Sequence, residues 1–131
     1  MNMVKAGLRP AFGLFVIAHA LAHTVLPTRG SMDPSMGPIY FVPLMFYSVA
    51  AVCLMSAGLG VFGIRPFPAV MRPAMVLGAA YSLIGLIFTS ESVLWFGVVG
   101  DVMLLVTGVT GSYRHLPSPM PSHRQARILG T

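Results

Sequence analysis

Four long apolar blocks, joined by short connections rich in proline, glycine and arginine, constrain this chain more than any other feature. They run from about Pro10 to Leu26, Tyr40 to Ile64, Pro73 to Ser90 and Val93 to Ser112. A helix needs ~20 apolar residues, range ~17–25, to cross the hydrocarbon of a bilayer, and all four blocks qualify. None alternates with period two, which argues against a barrel. The expected fold is therefore all-α: an integral membrane four-helix bundle, antiparallel and up-down-up-down. Pro43, near the start of the long second block, predicts a tilt or a bent first turn.

The 131 residues suffice for one domain. Charged residues make up 8% of them, against ~25% in a soluble domain. The balance is basic, with eight Lys and Arg against three acids. These basic residues lie scattered between apolar blocks and form no stripe with interleaved aromatics, so nucleic acid is not the expected partner. The single cysteine, Cys53, allows no intrachain disulfide.

The connections explain the charge. Residues 27–39 are turn-rich, with Pro27, Gly30, Pro34, Gly37 and Pro38. Residues 65–73 hold three prolines and two arginines, and Pro73 suits the first turn of a third helix. Ser90-Glu91-Ser92 reads as a tight polar turn, in which either serine can cap the fourth helix. Residues 1–113 then form the four-span domain and 114–131 a basic, Pro/Ser-rich, disordered tail that touches anionic lipid. Lys5, Arg9, Arg65, Arg72, Arg114, Arg124 and Arg127 fall on one side of this topology and only Arg29 on the other. The positive-inside rule puts both termini in the cytoplasm. Trp95 and Tyr40 then belong to the outer interface and Tyr113 to the inner one. Lys5 and Arg9 before an apolar run ending in Ala20-Leu21-Ala22 also fit a signal peptide. His19 within the run and its near-spanning length favour a retained helix.

Ionisable groups at membrane depth are functional candidates by default. His19 and His23 are four apart and share one face of the first helix. His19 lies ~14 Å from Pro10 and Asp101 ~12 Å from Val93 at 1.5 Å per residue, so both fall near the midplane of antiparallel helices. Glu91 lies at the outer edge. If helices one and four touch, two rungs are geometrically available, His19–Asp101 and His23–Glu91, and the first pair is expected to face each other inside the bundle. Three faces at helical spacing let helices approach closely: Gly97, Asp101, Leu104, Gly108 and Gly111; Gly78, Ser82, Gly85 and Thr89; Ser56, Gly60 and Gly63. Tyr47 and Tyr81 are mid-span phenols available to the same polar interior.

Several chemistries fit these residues. A neutral histidine bonded to a carboxylic acid can simply hold helices together. An i, i+4 histidine pair can bind a transition metal or haem, with Asp101 or Glu91 as further oxygen ligands. A His–Asp pair can also move protons or act in catalysis. Glu91 also fits as a solvated turn residue favoured by a helix dipole. The other histidines, His115 and His123, lie in the tail and are too few for a di-iron oxygenase. The ten methionines are spread along the chain and read as packing residues. No phosphate loop, CxxC or nucleophile elbow is present.

The first span, Arg9 to His23, opens on a basic residue and closes on His19-Ala20-Leu21-Ala22-His23. It resembles the H-(G/A)-L-x-H element of small uncharacterised four-helix bacterial membrane proteins, which lend no activity. The four short helices and the opening arginine are also similar to the DoxX-like group, in which a Gly-x-x-Lys-like element stands where this chain has its histidine pair. That resemblance implies a redox or quinone-linked accessory subunit. The expected function is an accessory subunit or helix-packing partner, associated with other membrane subunits or with itself, in the bacterial inner membrane. The alternatives are a membrane enzyme or redox protein for a lipophilic substrate, and a small transporter or channel subunit.

Overall fold

The computed structural model describes residues 2–25, 41–88 and 95–112, and the chain in these segments is all-α. The helices are α1 (Asn2–Val25), α2 (Phe41–Val61), α3 (Met71–Phe88) and α4 (Trp95–Thr110). Successive helices pack antiparallel: α1 on α2, α2 on α3, α3 on α4, while α4 meets α1 over a short stretch. The 27–39 loop, Tyr40, the turn at Glu91, Tyr113 and the 114–131 tail lie outside the described residues.

Each apolar block became one helix, with ends set by local chemistry. α1 begins well before Pro10, which lies inside it. A proline costs a helix one hydrogen bond and introduces a clash one turn back, and here the helix carries through. The Arg9 guanidinium Nε beside it donates to the Val61 carbonyl at 2.9 Å, tying α1 to the last turn of α2. α2 stops at Val61, three residues short of the expected end. Gly63 has φ +79, its N–H bonds Gly60 O at 3.0 Å, and Ile64 N–H bonds Leu59 O at 3.2 Å. This pair of bonds around a left-handed glycine is a Schellman stop. Gly63 therefore terminates α2 and does not belong to its packing face. The proline-rich connection folds into a 3-10 turn at Phe67–Ala69, and α3 starts two residues before Pro73.

Val16 and Ala20 of α1, Leu54 and Ala57 of α2, Met75 of α3 and Leu104 of α4 are fully buried and form one core. The expected α3 face packs on α2. A Cβ on Gly78 would sit 2.7 Å from the Leu54 side chain, and one on Gly85 would sit 3.1 Å from the Tyr47 ring. The outer surface is apolar on all four helices, with Leu14, Met45, Ile87, Phe96 and Val106 among the exposed side chains. α1 from Gly7 and α2 are long and apolar enough to cross a membrane. Over the described residues α3 and α4 are apolar but shorter, ~27 Å and ~24 Å at 1.5 Å per residue.

Candidate functional site

The polar groups of α1, α3 and α4 meet at one place. His19 faces inward from α1 because it lies one turn after Val16 on the buried stripe that continues through Ala20 and His23. Asp101 faces inward from α4, three residues before buried Leu104. The His19 Nε2 to Asp101 Oδ1 distance is 2.8 Å. α4 comes this close to the ring at Gly100, where a Cβ would fall 2.8 Å from His19 Cε1. Gly97, expected to provide the close approach, has nothing within 4 Å of its Cβ position. It lies almost a full turn from Gly100, and Gly100 sits against His19. Gly108 packs against Val76 of α3 instead.

The His23–Glu91 rung involves Glu91, which lies outside the described residues; among the described residues, His23 Nε2 meets Ser82 Oγ of α3 at 3.0 Å. Ser82 in turn donates its hydroxyl proton to Asp101 Oδ2 at 2.5 Å. A serine has one proton to give, so the bond between His23 and Ser82 is donated by His23 Nε2–H. His23 Nε2 also lies 3.9 Å from Asp101 Oδ1. Both imidazoles thus converge on one carboxylate, with Ser82 bridging the second histidine to its other oxygen. Asp101 and Ser82 are 0% exposed and His23 2%. Asp101 is the only acid among the described residues.

Rings frame this cluster. His19 and His23 meet edge to face at 4.9 Å. Phe15 stacks on His19 with centroids 5.9 Å apart, and Tyr47 of α2 stacks on His23 at 5.5 Å. Tyr47 is therefore part of the site wall. Tyr81 is not: it packs its ring against Phe46 at 5.8 Å and lines an outward groove with Val42, Met45 and Val49. One residue before Ser82 is ~100° round the helix, which turns Tyr81 away.

One polar atom is left over. His23 Nδ1 is buried and has no hydrogen-bond partner among the described residues. With Nε2–H given to Ser82, Nδ1 of the neutral ring is a bare acceptor. Buried polar atoms are rarely left so.

Ser82 was legible only as a small residue on a packing face, although its hydroxyl at helical spacing from Gly78 and Gly85 was a usable signal. The arginine roles were hidden too. Arg72 donates from Nε to Gly108 O at 3.1 Å and from Nη2 to Val109 O at 2.8 Å. Arg9 and Arg72 thus close the C-terminal ends of α2 and α4, where cations are favoured by the helix dipole.

Two histidines on one face of one helix suit a shared small cation. They do not suit the two opposite axial positions of a single haem. Comparison with protein-family models, with curated proteins and with solved structures gives no match.

Proposed function

We propose that this chain is a multi-pass protein of the bacterial inner membrane, with four helices across the bilayer and both termini cytoplasmic. It works as an accessory, helix-packing subunit of a larger membrane complex. The observation that supports this is the inverted distribution of polarity. Large apolar side chains cover the outside of every helix, while His23, Ser82 and Asp101 are buried inside. A water-soluble bundle puts its apolar stripe inward and its charges outward. Here the described outer surface offers lipid or neighbouring helices an apolar face, and interhelical hydrogen bonds supply the specificity that lipid-facing side chains cannot. Arg9 and Arg72 bind carbonyls at the ends that the positive-inside rule assigns to the cytoplasm.

Reporter fusions at Thr131 and near Met32 test the topology: the C-terminal fusion reports cytoplasmic and the loop fusion periplasmic. Extraction in a mild detergent and native gel analysis test the subunit role. A stable stoichiometric complex is the expected result, and a lone monodisperse monomer from native membranes refutes that role. A second reading, a membrane enzyme for a lipophilic substrate, has one observation in its favour. The His19 side chain is 11% exposed, so one edge of the cluster reaches the surface of the described bundle.

A further inference from the structure

The structure assigns a metal site to the junction of α1, α3 and α4: we infer that His19, His23 and Asp101 bind one divalent first-row transition ion of the zinc type. The inference goes beyond the subunit reading and does not depend on it.

Geometry carries it first. One nitrogen from each imidazole and one oxygen of Asp101 all lie within 4.8 Å of one another. In a tetrahedral zinc site, bonds of ~2.0–2.2 Å place ligand atoms ~3.3–3.6 Å apart. Closing the cluster on a cation therefore takes side-chain shifts of about 1 Å. The spacing of four along α1 presents both rings on one face, and Asp101 meets them from the facing helix at the same depth.

The donor set points to the class of ion. Two imidazoles and one carboxylate are the ligands of open zinc sites and of facial-triad iron sites, with positions left for water or a small ligand. Calcium and magnesium want oxygen ligands, of which this cluster offers one carboxylate and one hydroxyl. The hydrogen bonds around the cluster resemble the outer partners of a metal site. Ser82 holds Asp101 by Oδ2, which leaves Oδ1 for the ion. Such partners fix ring orientation and raise ligand affinity.

His23 Nε2 lies 3.9 Å from Asp101 Oδ1, so it is the ring nitrogen that faces the cluster and the carboxylate. An ion here also compensates the single buried carboxylate, in surroundings of low dielectric where the attraction is strong.

The test uses the full chain in detergent, any purification tag removed, with His115→Ala and His123→Ala so that the tail cannot bind metal. After chelator stripping, Co(II) is titrated and its visible d–d absorption recorded, with metal content measured by mass spectrometry. The expected result is one Co(II) per chain, displaced by Zn(II). His23→Gln and Asp101→Asn should each abolish the band. Ser82→Ala keeps all three ligands and should weaken binding ~10–100-fold. A wild-type-core chain that takes up neither Co(II) nor Zn(II) overturns the assignment, whether or not the variants fold. So does a Co(II) band that survives unchanged in a helical, monodisperse Asp101→Asn or His23→Gln protein.

Discussion

Replacing Asp101 with alanine removes the acceptor of two hydrogen bonds at once, from His19 at 2.8 Å and from Ser82 at 2.5 Å. The two losses are not equal. Ser82 can turn its freed proton to His23 Nε2, which then carries its own proton on Nδ1. His19 has no such substitute, and its N–H is left facing the space the carboxylate filled. An unsatisfied buried group costs ~1–3 kcal/mol in soluble proteins, whereas interhelical bonds in membranes average ~0.6 and reach ~1.7 kcal/mol. Asp101→Ala should therefore destabilise the folded chain by about 1–3 kcal/mol, and Asp101→Asn by less, because the amide still accepts a bond. His19→Phe keeps the stack on Phe15 and removes the polar atoms. A double-mutant cycle of Asp101→Ala with His19→Phe should give a coupling of ~0.6–1.7 kcal/mol, read from helicity during unfolding in mixed micelles with increasing SDS. Independent sites add within ~0.3–0.5 kcal/mol. A coupling inside that range, or an Asp101→Ala chain as stable as wild type, would refute a structural role for the pair.

Two further substitutions probe the surroundings of the cluster. Gly100→Ala places a Cβ 2.8 Å from His19 Cε1. It should destabilise by ~1–2 kcal/mol through overpacking, yet become neutral or stabilising by up to ~1 kcal/mol in a His19→Ala background, where only the helix propensity gain remains. An equal effect in both backgrounds contradicts the contact. Arg72→Met keeps the aliphatic stem and loses both bonds to Gly108 and Val109. A cost of ~1–2 kcal/mol and faster amide exchange confined to the last turns of α4 are expected, and unchanged exchange there contradicts the cap.

Helix number and approximate extent were legible because hydropathy in blocks of this length needs no tertiary information. The pairing of His19 with Asp101 was legible for a related reason: depth along a straight helix is arithmetic, and unpartnered polar groups are costly in an apolar interior. What the blocks do not encode is azimuth. Gly97 and Gly100 are equally small and almost one turn apart, and the depth and rotation of α4 together put Gly100 against the ring. Tyr47 and Tyr81 are both mid-block phenols, and only rotation puts one on His23 and the other beside Phe46. Ser82 was misread for a different reason. A serine on a glycine-lined face counts first as a small residue, and its hydroxyl becomes decisive only when two polar partners lie within 3.0 Å on other helices. The end of α2 was hidden because Gly63 looks the same as a packing residue and as a left-handed stop.

The fastening of α4 follows from these particulars. α2 and α3 share an extended interface, as do α1 and α2, whereas α4 leans on α3 and barely meets α1. Its outward side chains, Trp95, Phe96, Val99, Val102, Met103, Val106 and Val109, are exposed, so burial contributes less to its position than to that of the other helices. Polar bonds replace what packing does not provide. Asp101 holds the middle of α4 to α1 through His19 and to α3 through Ser82, and Arg72 holds its end to α3. These bonds are few, directional and broken by single substitutions. The α1–α4 seam is thus a boundary in the described fold where loss of a polar contact removes most of what joins two helices. Cysteine crosslinks across that seam, in a Cys53→Ala background, should therefore weaken in Asp101→Ala while crosslinks between α2 and α3 persist. If both sets weaken together, the chain unfolds as one unit and α4 is not separately fastened.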